Sequence, residues 1–149
     1  MTTRREFIRA SGALTISFVV PCATAASTRI RPIGEMFVRS RLRLYAKGEV
    51  HLLMGKAELG QGIGTAMAQI VAEELDVGID SVRLDPVSTL GSPDESYTTG
   101  SISVQQSGPP TRRAAATARA FLLGEGSAQL GVNVDRLSVR NGRILVDGT

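Results

Sequence analysis

The residues best suited to chemistry stand together in Gly55-Lys56-Ala57-Glu58-Leu59-Gly60-Gln61-Gly62-Ile63-Gly64, which sets four glycines in ten positions. Directly after, Ile63, Met67, Ile70, Val71 and Leu75 recur at helical spacing. A glycine turn lets backbone approach a ligand closely, and the helix behind it aims free N–H groups and its positive dipole end at the turn. That geometry suits an anion, a phosphate above all. No Gly-Lys-Ser/Thr closes the motif and no G-x-G-x-x-G runs through it, so the spacing predicts a phosphate-bearing ligand outside the P-loop and Rossmann classes. Gln61 can donate and accept at once. A second candidate, Gly100-Ser101-Ile102-Ser103, ends a polar, turn-rich stretch from Ser88 to Thr99. A stretch of that length between elements usually has a job. Its serines can cap a helix or donate to a ligand. On the residues alone, Gln61 as a surface residue and Ser101 and Ser103 as plain caps stay open.

Other polar residues take plainer readings. His51, the only histidine, falls in a strand and reads as a packed imidazole rather than a ligand or base. Glu58, beside the glycine loop, reads as a structural hydrogen-bond partner, and Glu73 as a solvent-facing residue near a helix end. Arg39, Arg41 and Arg43 form a basic stripe that reads as a solvated strand face. Arg112 and Arg113 are expected to flank a helix start, where their charge opposes the dipole and points to a nearby anion or acidic partner.

The elements that must position these groups follow from the patterning. Arg41 to Tyr45 and Glu49 to Met54 alternate with period two around Lys47-Gly48, a hairpin leading into the glycine loop. The helix behind the loop ends at Val77-Gly78, and Val82 to Val87 reads as a strand. Pro109-Pro110 is expected to interrupt the chain before an alanine-rich helix, Thr111 to Leu130, weakened by Gly124 and Gly126. Leu137 to Arg140 and Arg143 to Val146 flank Asn141-Gly142, a strong hairpin signal. The sum is an α+β fold, hairpins and a mixed sheet packed with two main helices.

Residues 1–25 read as a twin-arginine signal peptide. Thr3-Arg4-Arg5-Glu6-Phe7-Ile8 precedes an uncharged run from Ala10 to Val20 and the small residues Ala23-Thr24-Ala25. The run is short for a bilayer span, so no stable membrane anchor is expected. Residues 26–36 read as a linker. Removing the leader deletes three arginines and one glutamate, which lowers the formal net charge from +3 to about +1 and removes the footprint of a nucleic-acid binder. Cys22, the only cysteine, goes with it, so a cofactor here must be held by backbone and amide groups. The twin-arginine route carries folded proteins, commonly those loaded with a cofactor first, and the expected location is the periplasm.

Gly55 to Gly62, the helix end Val71-Ala72-Glu73-Glu74-Leu75-Asp76 and Thr99-Gly100-Ser101-Ile102-Ser103 together resemble the molybdopterin-binding subunit of the xanthine dehydrogenase and aldehyde oxidase family. In particular they resemble its exported bacterial branch, typified by the isoquinoline 1-oxidoreductase large subunit. The resemblance runs from Phe37 to the C-terminus. It implies that Gly60, Gln61 and Gly62 form one contact loop, and Gly100, Ser101 and Ser103 another, for a molybdenum-bound pyranopterin, in bacteria commonly the cytosine dinucleotide form. It implies hydroxylation of aldehydes or N-heteroaromatics with oxygen from water, and electrons leaving through iron–sulfur clusters on a small [2Fe–2S] subunit. The family's catalytic glutamate lies far downstream in longer chains, so residues 37–149 are expected to be the N-terminal part of a larger cofactor-binding domain. Alone, without the remainder of the large subunit, they are expected to be inert. The alternative from the residues is a small exported α/β module that binds an anionic ligand without redox chemistry.

Overall fold

The computed structural model describes residues 41–45 and 48–147. The expected leader, the linker, Arg39 and Lys47 lie outside the described residues.

Strand β1, Leu42–Leu44, pairs antiparallel with β2, Val50–Leu52, with Arg43 opposite His51. The chain then enters the glycine loop and helix α1, Ile63–Leu75, and returns as β3, Val82–Leu84, parallel to β2. The expected hairpin is present, and the βαβ return makes a mixed sheet in the order β1-β2-β3. The third strand stops short of its expected end because Pro86 has no N–H to pair, and only the Asp85 N–H still reaches the Leu52 carbonyl, at 3.0 Å.

Helix α2 departs most from expectation. It spans Ser103–Leu130 and contains Pro109 and Pro110, rather than beginning after them. Each internal proline removes a backbone hydrogen bond and costs roughly 3 kcal/mol. Burial outweighs that loss: Pro110 and Thr111 are buried, and Ala114, Ala115, Ala118 and Leu122 continue one covered face downstream. Ala115, Ala118 and Leu122 pack with Met67, Val71 and Leu75 of α1 and with Leu44, Val50 and Leu52 of the sheet in a single core. Small side chains on α2 are what allow the helices to approach.

Strands β4, Leu137–Arg140, and β5, Arg143–Val146, form the second expected hairpin. Asn141 and Gly142 both take positive φ, as a tight two-residue turn demands. The turn docks on the end of α1, where the Gly142 N–H donates to the Asp76 carbonyl at 2.5 Å. Gly126 on α2 is buried because Ile144 occupies the space of a side chain, its Cδ1 lying 2.8 Å from where a Cβ would stand.

Candidate functional site

At the glycine loop, Gly60 and Gly62 have φ of +90° and +75°, a region costly for other residues. A Cβ at either would meet nothing within 4 Å, so the loop's outer side is open to a ligand. Gly62 caps α1 and has no side chain to satisfy the helix's first N–H groups.

Two of those N–H groups, on Gly62 and Gly64, are nonetheless occupied. The Glu58 carboxylate accepts from Gly60 at 3.0 Å, Gly62 at 2.9 Å and Gly64 at 3.1 Å. The N–H of Gly64, then that of Gly62, then those of Gly60 and Gln61, hold its carboxyl below the ordinary glutamate range. An anion does stand at this helix start, the chain's own glutamate, which bears out the reading of Glu58 as a structural hydrogen-bond partner. Gln61 folds over the same loop: its Oε1 accepts from the Leu59 N–H and its Nε2 donates to the Ala57 carbonyl at 2.9 Å. Its side chain stays exposed at the loop surface.

The second candidate loop is bound to the first. Ala57 N–H donates to Thr98 Oγ1 at 2.8 Å, and the Gly55 N–H donates to Glu95 Oε2 at 2.6 Å. Lys56, fully buried, donates to the carbonyls of Glu95 and Tyr97 at 2.7 and 2.8 Å and to Gln106 Oε1 at 2.9 Å. Gly55 is required as glycine because the Pro93 carbonyl lies where its Cβ would stand. Beneath them Arg41, 1% exposed, meets Glu95 Oε1 at 2.6 Å and donates to Thr111 Oγ1 at 3.2 Å. The expected solvated basic stripe is thus corrected at Arg41, while Arg43 is exposed. Above this clamp, Gly100 and Ser101 take positive φ, +66° and +55°, and Ser103 opens α2. Ile102, not a serine, occupies the cap position, and no side chain caps the helix. Ser101 is a non-glycine residue in a left-handed conformation on an exposed turn, a kind of strain that gathers at ligand sites.

The remaining polar residues do structural work. His51 is half-buried, with Nδ1 2.6 Å from Asp85 and its ring against Tyr45. Arg112 lies inside α2 rather than at a helix start, and its acidic partners are Glu73 and Glu74 of α1, at 3.1 and 3.3 Å. The clamp formed by Lys56 and Glu95 is not among the sequence expectations. A lysine one glycine beyond the apolar run Leu52-Leu53-Met54 was the available signal.

The polar side chains exposed on the two loops include the Gln61 amide and the Ser101 hydroxyl, and among the described residues no three His, Cys, Asp or Glu gather to hold a metal ion. Such a set fits a polar organic cofactor that presents many donors and acceptors.

Comparison with known proteins agrees. Residues 4–149 match the family model of a molybdopterin cofactor-binding domain. The B subunit of nicotinate dehydrogenase from Pseudomonas putida is 40% identical over 98 residues, covering 66% of this chain and 8% of the relative. The beta subunit of isoquinoline 1-oxidoreductase from Brevundimonas diminuta is 35% identical over 99 residues, 64% of this chain and 12% of the relative. A xanthine dehydrogenase molybdenum-binding subunit of Escherichia coli is 26% identical over 118 residues, 77% of this chain and 15% of the relative. The chain spans a small fraction of the length of each of these relatives. It belongs to the molybdopterin cofactor-binding domain family, in the xanthine dehydrogenase and aldehyde oxidase group.

Proposed function

We propose that this chain is the part of an exported molybdenum hydroxylase large subunit that grips a molybdenum-molybdopterin cofactor, in its cytosine dinucleotide form, with Gly60, Gln61 and Gly62 on one loop and Gly100, Ser101 and Ser103 on the other. The observation that carries this reading is the clamp of Lys56 and Thr98, which ties the two loops together while both keep exposed polar and glycine positions. When bound, the cofactor supplies the redox centre for hydroxylating an aldehyde or N-heteroaromatic carbon with oxygen from water.

The chain's own residues bind and orient. Gly60 and Gly62 allow close approach, because no side chain stands over them. Gln61 exchanges its two hydrogen bonds within the loop for bonds to the ligand, so little hydrogen bonding is lost on binding. Ser101 and Ser103 add hydroxyls. The remainder of the large subunit supplies the substrate contacts, the catalytic base and the docking site for a small [2Fe–2S] subunit, and the 149-residue chain alone is inert. Its twin-arginine leader directs the protein to the periplasm.

An antibody against residues 55–75, applied to a periplasmic extract, tests the assignment. A band several times larger than this chain is expected. A band near the mass of the leaderless chain would contradict it and favour a small exported binding module. Turnover of aldehydes or N-heterocycles by the purified 149-residue chain, once loaded with cofactor, would contradict the inertness.

A further inference from the structure

At the start of α1 the N–H groups of Gly60, Gly62 and Gly64 converge on Glu58. We propose that Glu58 is a positioning residue for the cofactor loop: its carboxylate is a built-in anion that fixes the left-handed course of Gly60 and Gly62 before a ligand arrives, and keeps the ligand's phosphates off this helix start. The inference rests on the reading that the Gly60–Gly62 loop contacts the cofactor.

Three observations carry it. First, the carboxylate reaches both sides of the turn, since one oxygen takes Gly60 and Gly62 and the other takes Gly64, the second residue of α1. The loop and the helix are thereby fixed to each other through one side chain. Second, Gly64 is buried, and a Cβ there would stand 2.7 Å from Leu84 Cδ1 and in ordinary contact, 3.5 Å, with Glu58 Oε2, so the carboxylate lies directly against the first turn of α1. The glutamate itself is exposed and is held over the helix start by these backbone N–H groups. Third, glycines have the most conformational freedom to lose, so an unheld Gly-Gln-Gly loop would have to be ordered by the ligand, weakening binding by that amount. A loop ordered in advance presents Gln61 and the open faces of Gly60 and Gly62 at no such loss. A second negative charge at the same N–H groups meets an occupied and like-charged seat.

The test uses the complete large subunit in its native complex, with Glu58→Ala, Glu58→Gln and Glu58→Asp, and reads pterin per chain after purification. Glu58→Ala is expected to lower retained pterin at least tenfold, and Glu58→Asp to recover part of it. Formate added during loading is expected to restore retention in Glu58→Ala and to leave wild type and Gln61→Ala unchanged, a rescue that a general folding defect would not show. If Glu58→Ala does not accumulate folded, the isosteric Glu58→Gln carries the comparison. Wild-type pterin content in the Glu58 variants overturns the proposal. Pterin unaffected by Gln61→Ala as well as by the Glu58 variants overturns instead the reading of the loop as a cofactor contact.

Discussion

Gly55, Glu58 and Glu95 show how single residues set the site. Gly55→Ala brings a methyl group against the Pro93 carbonyl, a backbone atom that cannot swing aside. The variant is expected to displace the 93–98 segment and to destabilise the protein by about 2 kcal/mol or more, read from urea denaturation midpoints. At Glu58 the effect depends on pH. Its carboxyl lies below the ordinary range in the folded chain, so the ionised form adds stability above the pKa of an unfolded glutamate. That contribution is lost as pH falls through the lowered folded value. The stability gap between wild type and Glu58→Gln is expected to hold steady near neutral pH and to close on acidification. A gap that widened in acid would contradict the arrangement. The glycine loop was legible from residue types and spacing, because glycine density before a helical pattern has few other uses. The group filling it was not, since a carboxylate two residues before Gly60 carries no sign of which way it turns. Arg41 was misread for a related reason: alternation marks a strand, but the burial of a charge depends on a counterion, Glu95, that arrives from a distant loop.

The elements explain why the two loops stay in register. Loop 85–102 has no regular strand or helix, and is held by Lys56, Thr98, Glu95 and Arg41 rather than by a ladder. Lys56→Met is expected to leave two carbonyls and the Gln106 amide oxygen without their donor, at a loss of about 2–4 kcal/mol, and to free the loop. Limited proteolysis between residues 88 and 100 checks this, and protection equal to wild type would contradict the clamp. Glu95→Ala removes the carboxylate from buried Arg41 and is expected to destabilise by about 3 kcal/mol, again read from denaturation midpoints. Both hairpins and α1 could be read from period and turn chemistry, because their signals are local. The first turns of α2 could not. Pro109 and Pro110 argue against a helix locally, and only packing of the downstream alanine face against α1 reverses that preference.

At the scale of the molecule, two helices and a short mixed sheet form one core, and both candidate loops meet where β2 runs out toward α1 and where α2 begins. Such a unit can hold one side of a large cofactor. Among the described residues no helix is long and apolar enough to cross a membrane. The most direct test of the account is the molybdenum and pterin content of the purified full-length protein that carries this chain, compared with Gln61→Ala/Ser101→Ala. Roughly equimolar molybdenum and pterin in the wild type, falling at least tenfold in the double variant, is the expected result. Absence of both from the folded wild-type protein, or full content in the double variant, would contradict it.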